Sequence, residues 1–231
     1  MTPVLALPSS LGTTTELWDA NVGYWSHTFR LLRYNQQGRA SIEQLGHDLL
    51  DLVDPAEPVS ICGLSLGGAT AMWVAANAPE RVDRLVLACT SARFGEPEPW
   101  LERAAAVREH GLEPIADSIV ARWFTPSAPR EVVARFRQRL VATPREDYAA
   151  CCDALARWDF RDRLGEIPVP TLVIAGAEDF STPPEDGALL ADRIPEAELV
   201  VLQGAAHLAN VERANAFSRL VSKHLAPVEV A

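Results

Sequence analysis

One segment, Gly63-Leu64-Ser65-Leu66-Gly67-Gly68, constrains the fold of this chain more than any other feature. It follows the apolar run Val59–Cys62 and precedes the small, helix-forming stretch Ala69–Ala76. The order is strand, Gly-x-Ser-x-Gly, helix, which is the arrangement of a nucleophile elbow. Glycines are needed because side chains two positions either side of the serine would collide with the packed strand and helix. We expect Ser65 to stand on a sharp, strained turn; the alternative is a glycine-rich turn that only packs closely.

Two polar residues further along the chain each follow a strand-like run. Asp179 comes after Thr171–Gly176, and His207 comes after Leu199–Leu202. The chain order serine, aspartate, histidine is that of the α/β-hydrolase catalytic triad. In that triad Ser65 is the nucleophile, His207 takes the serine proton and returns it to the leaving oxygen, and Asp179 fixes the imidazole tautomer.

Both downstream residues also have simpler interpretations. Asp179 could be a loop carboxylate, with its neighbour Glu178 as the competing acid, although Asp179 matches the motif better. His207 could stand at the start of a helix over Leu208–Leu220. The other histidines follow no buried strand, and we expect them to be solvated: His27, His47, His110 and His224.

Composition excludes some classes of function. A chain of 231 residues suits one domain of moderate size, or one domain with an insertion. The formal net charge of −10, without a basic stripe, argues against a nucleic-acid partner. An anionic substrate would therefore need a local pocket of positive charge.

The expected location is the cytoplasm, without a membrane partner. The apolar run after Met1 is short and lacks the basic lead of a signal peptide, and no stretch is long enough to span a bilayer. The 4 cysteines do not suggest a disulfide framework. No histidine or further cysteine is spaced for a metal ion.

Apolar, strand-like runs alternate with helical stretches through most of the chain. Such alternation predicts an α/β fold with a mostly parallel sheet of six strands covered by helices. Ser41 and Gln44 form a capping box that predicts a helix through Leu52. Besides the runs at 171–175 and 199–202, the predicted strands are Val4–Leu7, Thr28–Tyr34, Val59–Cys62 and Arg84–Cys89.

The alternation stops between the fourth and fifth predicted strands. Residues 96–164 have helical periodicity throughout and are punctuated by prolines. We predict a helical cap there, over the carboxyl ends of the strands, with residues 1–95 and 165–231 forming the core.

Several segments outside the elbow are also informative, and two stretches, Thr90–Gly95 and Arg122–Pro126, are more specific than the triad motif. The segments are Pro8–Thr14 with Leu17-Trp18-Asp19, Phe29–Tyr34, Leu87–Gly95, Arg122–Pro126 and Ala205–Glu212. Together they resemble the 3-oxoadipate enol-lactonases, over about residues 4–224. The resemblance implies an α/β-hydrolase fold and hydrolysis of a small, anionic enol-lactone in bacterial aromatic catabolism, with no cofactor or metal.

The resemblance also implies roles for particular residues. Ser65, Asp179 and His207 match the triad, and the backbone N–H groups of Leu11 and Leu66 would form the oxyanion hole. Leu66 directly follows Ser65, and Leu11 lies in the loop after a predicted central strand. Ser9 stands where the family usually has asparagine in this loop.

The substrate carboxylate would need a cation or several N–H donors, because a buried unpaired charge is costly. Arg93 follows the fourth predicted strand, and Arg122 lies beside Trp123 in the predicted cap. Either arginine could serve, although each could equally be an exposed surface residue. Trp123 could line the pocket or belong to the core of the cap.

The resemblance implies a β-hairpin before the strand that here is Val4–Leu7, and we expect this hairpin to be absent. Without it, the strand Thr28–Tyr34 becomes an edge. We therefore predict the strand order second, first, third, fourth, fifth, sixth. We also predict that the edge is covered by a loop or pairs with a second copy of the chain.

Other functions remain open at this point, since a fold does not determine a substrate. The chain could be a different small-ester or lactone hydrolase. It could also be a non-catalytic binding protein of the same fold, or have a cofactor-free haloperoxidase-like side activity.

Overall fold

A computed structural model describes residues 2–226 of the chain. Its sheet has six strands, all parallel, in the order β2-β1-β3-β4-β5-β6, which confirms the predicted order. The strands are β1 (Val4–Pro8), β2 (Arg30–Tyr34), β3 (Val59–Leu64), β4 (Val82–Ala88), β5 (Thr171–Gly176) and β6 (Ala197–Leu202).

The burial of the strands explains why their sequences are apolar runs. Every residue of β1, β3 and β5 is buried, because parallel strands in the middle of a sheet are covered on both faces. The edge strands β2 and β6 are only partly covered. Helix α3, which follows β3, is buried from Leu66 to Ala75 and forms part of this core.

Ten α-helices accompany the sheet in the described part of the chain. They are α1 (Asp19–Trp25), α2 (Ile42–Asp51), α3 (Leu66–Asn77), α4 (Pro97–His110), α5 (Ala116–Trp123), α6 (Arg130–Val141), α7 (Arg145–Ala156), α8 (Pro184–Arg193), α9 (Ala209–Glu212) and α10 (Ala214–Leu225). Short 3-10 helices lie at Thr15–Trp18, Pro79–Arg81, Glu113–Ile115 and Arg161–Glu166. None of the helices in residues 2–226 is both long and apolar enough to cross a membrane.

Element boundaries differ from the prediction where hydrogen bonding, rather than hydropathy, decides them. The N–H groups of Thr28 and Phe29 both donate to the carbonyl of Trp25, at 3.0 and 2.9 Å. This turn keeps them out of the sheet, so β2 begins at Arg30 rather than Thr28. The predicted helix start is confirmed, because the Ser41 side chain accepts from Gln44 N as the N-cap of α2.

Between β4 and β5 the described chain forms helices α4 to α7 and no strand. The predicted boundary before residue 96 lies in the loop that precedes α4, whereas the one at 164/165 lies inside the 3-10 helix Arg161–Glu166. The division into core and cap stays a prediction, and we use "cap" below for residues 96–164.

Strand β2 pairs only with β1 among residues 2–226 and so forms one edge of the sheet. Its two arginines are engaged at the surface: Arg30 pairs with Glu57 and Arg33 with Asp19. Charged side chains on an edge strand discourage pairing with another chain. Self-association through this edge stays a prediction.

Candidate active site

Ser65 occupies the turn between β3 and α3 with an unusual backbone. Its φ of 56° and ψ of −117° lie in a region where residues other than glycine are rarely found. Holding a serine in this backbone conformation costs roughly 1–3 kcal/mol. The surrounding hydrogen bonds maintain this strain: Ser65 N donates to Ala88 O at 3.0 Å, and Thr90 Oγ1 donates to Ser65 O at 2.7 Å. The Ser65 hydroxyl takes part in none of the hydrogen bonds found among residues 2–226, so it can turn toward a neighbouring base.

The glycines of the motif are required by close approach. A Cβ at Gly63 would lie 2.2 Å from the carbonyl oxygen of Gly67, and a Cβ at Gly67 would lie 2.8 Å from that of Pro8. Both neighbours are backbone atoms that cannot move aside cheaply. Packing of β3, α3 and the end of β1 therefore explains the motif, as the sequence indicated.

Asp179 and His207 meet at the carboxyl ends of β5 and β6. His207 Nδ1 lies 2.8 Å from Asp179 Oδ2, and both side chains are buried. Thr182 Oγ1 donates to the same carboxylate oxygen at 2.7 Å, while Oδ1 accepts from Ser181 N and Thr182 N at 2.8 and 3.1 Å. Glu178, the competing acid, faces a different surface cavity. The geometry therefore favours Asp179 as the partner of the histidine.

The environment keeps Asp179 ionised. Burial by itself would raise the pKa of this carboxyl group, but the positive charge of His207 and the hydrogen bonds from His207 and Thr182 outweigh it. The pKa of Asp179 is consequently below its usual value. A carboxylate in this state holds Nδ1–H on His207 and leaves Nε2 as the basic nitrogen.

The two residues predicted to form the oxyanion hole lie close to Ser65. Leu66 is the first residue of α3, where a backbone N–H has no acceptor within the helix, and Leu11 lines the same cavity as Ser65. The Leu11 loop is held by Thr13, whose Oγ1 accepts from Ser10 N at 2.9 Å. Neither the Leu11 nor the Leu66 N–H is used by a turn or side-chain hydrogen bond of residues 2–226.

A buried glutamine that the sequence analysis did not select also fixes this loop. Gln36 Nε2 donates to Ser9 O at 2.7 Å, and Gln36 N donates to Ser9 Oγ at 2.9 Å. Ser9 is therefore clamped from the end of β2. No motif marks Gln36, and the contact depends on how the chain folds back after Tyr34.

Ser65 and His207 open into a cavity of about 310 Å³. This volume is at the small end of the range for ligand pockets, roughly 300–1,000 Å³. The core contributes Ser10, Leu11 and Thr182, and the cap contributes side chains from α4, α5 and α7. These cap residues are Pro99, Trp100, Arg103, Ser118, Ile119, Arg122, Trp123, Tyr148 and Leu155, and Glu96 lines the cavity just before α4.

The three residues predicted to bind substrate differ in position. Arg122 and Trp123 line the cavity, and Trp123 also packs edge-on against Phe136, so it serves both the pocket and the cap core. Arg93 is not among the lining residues; its guanidinium lies 2.6 Å from Glu96. The lining residues that the sequence did not single out include Arg103 and Tyr148, because both look like ordinary residues of helical segments.

A carboxylate joins the cap to the histidine loop. Glu212 Oε1 accepts from Thr125 N and Thr125 Oγ1, each at 2.8 Å, and Oε2 accepts from Ala206 N at 2.7 Å. On the other side of His207, Leu208 N donates to Trp123 O at 2.9 Å. The backbone on both sides of the histidine is thus fastened to the end of α5.

Comparisons with known proteins agree with this geometry. Residues 38–214 match the family model of the alpha/beta hydrolase fold. The chain is 38% identical to 3-oxoadipate enol-lactonase 2 of Acinetobacter baylyi, over 95% of this chain and 87% of that protein. The chain belongs to the α/β-hydrolases, in the 3-oxoadipate enol-lactonase family.

Solved structures place this α/β-hydrolase in the same group. The crystal structure of the enol-lactonase from Burkholderia xenovorans LB400 superposes with a TM-score of 0.93 at 38% identity, covering 97% of this chain and 92% of that one. A thermophilic esterase from Thermogutta terrifontis, solved with malate bound, has a TM-score of 0.87 at 27% identity, covering 97% and 89%. The family assignment therefore rests on sequence and on fold.

Proposed function

We propose that this protein is a serine hydrolase that opens the ring of 3-oxoadipate enol-lactone to give 3-oxoadipate, in the breakdown of aromatic compounds. The observation that carries the proposal is the strained Ser65 in one cavity with a buried Asp179–His207 pair. Its similarity to enol-lactonases along nearly the whole chain supports the choice of substrate.

Acylation begins at the lactone carbonyl. Ser65 Oγ attacks the carbonyl carbon while its proton moves to His207 Nε2, since Nδ1 is engaged by Asp179. The N–H groups of Leu66 and Leu11 stabilise the oxyanion. The ring C–O bond then breaks, and the departing enol oxygen takes the proton from His207. The opened chain stays attached to Ser65 as an ester, and its enol tautomerises to the ketone.

Deacylation repeats the same steps with water. A water molecule gives its proton to His207 and attacks the ester carbonyl, and the oxyanion again lies against the two backbone N–H groups. Collapse expels Ser65 Oγ, which recovers the proton from His207. The net reaction adds one water to the lactone and releases one new carboxylate.

A spectrophotometric assay tests this proposal. Purified protein is given the enol-lactone, and loss of the lactone absorbance is followed beside hydrolysis of the neutral ester 4-nitrophenyl acetate. We expect a kcat/KM for the lactone well above that for the ester. Rapid ester hydrolysis with no action on the lactone would instead support another small-ester hydrolase, and failure on both would favour the non-catalytic alternative.

We propose further that the enzyme acts in the cytoplasm. All four of its cysteines are buried and free, as is usual where thiols are kept reduced. Cell fractionation with an antibody to the protein would test this location.

A further inference from the structure

The active-site cavity is lined by few charged side chains, although the proposed substrate is an anion. Its lining includes two cations, Arg103 and Arg122, and one anion, Glu96. Glu96 is already neutralised by Arg93 at 2.6 Å. The chain as a whole carries a net charge of −10, so its long-range field repels an anionic substrate. Binding of such a substrate therefore calls for a cation or several hydrogen-bond donors inside the cavity.

Arg103 is better placed for this task than Arg122. Arg103 is half-buried, and its guanidinium lies over the Trp100 ring at 4.7 Å from the centroid, which restricts its orientation. No carboxylate lies within 4 Å of it in the described part of the chain. Arg122 is exposed and also lines the neighbouring surface cavity. A partly desolvated cation attracts an anion more strongly than an exposed one.

Tyr148 adds a second donor beside Arg103. Its side chain is buried and lines the same cavity. Burial raises the pKa of the Tyr148 hydroxyl, more than the nearby Arg103 lowers it, so the group stays protonated and can donate a hydrogen bond. A guanidinium fork and a phenol together match the two oxygens of a carboxylate.

We propose that Arg103, assisted by Tyr148, binds the carboxylate of the substrate and selects acyl compounds that carry a negative charge. This inference rests on the proposed function, because it concerns the same cavity. It also assigns a different role to Arg93, which neutralises Glu96 beside the cavity. Replacing Arg93 would expose a negative charge, so a raised KM in Arg93→Ala alone would not identify it as the carboxylate ligand.

The test compares Arg103→Gln and Arg103→Lys with a matched control, Arg135→Gln. Arg135 also lies on a cap helix and over an aromatic ring, that of Phe136 at 5.6 Å, but it is outside the active-site cavity. Two quantities are measured: the ratio of kcat/KM for the enol-lactone to that for 4-nitrophenyl acetate, and the affinity for the dicarboxylate adipate by calorimetry.

We expect Arg103→Gln to lower the substrate ratio and the adipate affinity by roughly 10- to 100-fold each, as for loss of a hydrogen-bonded charge. Arg103→Lys should retain part of both, and the control should match the wild type. Equal losses on both substrates, or adipate binding as tight as in the wild type, would overturn the inference.

Adipate binding separates this inference from the proposed function. If the wild type does not hydrolyse the lactone yet binds adipate in an Arg103-dependent way, the proposed function is wrong and the carboxylate site is supported. If the wild type binds no adipate, the carboxylate site fails whatever the lactone assay shows. Should Arg103→Gln not fold, Arg103→Lys takes its place, and it should lower the same two quantities by a smaller factor; no loss in either would overturn the inference.

Discussion

The loops at the carboxyl ends of β3, β5 and β6 and the helices of the cap surround one cavity but are held in different ways. Ser65, Asp179 and His207 are buried, and backbone or charge-assisted hydrogen bonds fix the turns that carry them. The cap helices are joined to one another by packing and by exposed ion pairs, such as Arg137 with Asp117 and Arg108 with Glu146.

This difference suggests that the loops carry the chemical steps and that the cap determines which substrate binds. Proton transfer requires donor and acceptor within hydrogen-bond reach, so its groups need a rigid frame. Substrate choice depends on the shape and charge of the cap side chains in the cavity, which can change without disturbing that frame except at the end of α5, where the cap is hydrogen-bonded to the His207 loop. Variants of the loops should therefore affect all substrates alike, while variants of the cap should alter the preference between substrates.

Ser65→Ala should have the largest effect. Loss of the nucleophile should reduce kcat by roughly six orders of magnitude on both lactone and ester. Folding should be little changed, because the alanine keeps the Cβ and loses only a hydroxyl. Steady-state kinetics on highly purified protein measure the loss, and more than a few per cent of residual activity would show that Ser65 is not the nucleophile.

Asp179→Asn should reduce kcat by roughly four orders of magnitude, because an amide favours the wrong tautomer of His207. Glu178→Gln is the matched control, since it makes the same chemical change one residue away without touching the imidazole. The two variants are compared by kcat on both substrates. If Glu178→Gln were the more damaging, the acid would be wrongly assigned.

Glu212→Gln should reduce kcat by about tenfold on both substrates, through displacement of the loop that carries His207. The amide has only one acceptor oxygen for three donors, so one contact is lost, at about 1–3 kcal/mol. Glu131→Gln, on an exposed position of α6, is the control. A change in lactone preference without a fall in kcat would place Glu212 in recognition instead.

Ser65→Gly should be more stable than Ser65→Ala by about 1 kcal/mol, because glycine adopts the positive φ without strain. Denaturant unfolding of the two inactive variants measures the difference. Equal or lower stability of the glycine variant would mean that the turn stores no strain, and this would count against a rigid frame around Ser65.

We expect the smallest effect at β2, the edge strand of the sheet, which contributes no residue to the active-site cavity. Replacing Arg30 and Arg33 by threonine should increase self-association through β2, because the charges that discourage pairing are removed. Sedimentation velocity over a range of concentrations measures this, with activity as the control for folding. An unchanged distribution would argue that the edge is protected by other means.

The contrast between the loops and the cap also describes which residues could be predicted from the sequence. The elbow and the strand ends are local patterns, so Ser65, Asp179 and His207 could be selected from motifs, and the strand order was predicted from the resemblance to the family. Arg103, Tyr148 and Gln36 could not, because their roles arise from contacts between segments distant in sequence. Arg93 looked suitable by position alone, but its neighbour Glu96 engages it, and only the folded loop reveals this pairing.

The central claim is that Ser65 attacks a lactone, and intact-mass measurement of the enzyme during turnover tests it most directly. A lactone has no separate leaving group, so the acyl-enzyme should gain the full mass of the substrate, whereas 4-nitrophenyl acetate should add only an acetyl group. Samples quenched in acid within milliseconds should show this one adduct, digestion should locate it on the peptide that contains Ser65, and Ser65→Ala should show none. Turnover of the lactone with the adduct on another residue, or with the same adduct in Ser65→Ala, would contradict the account.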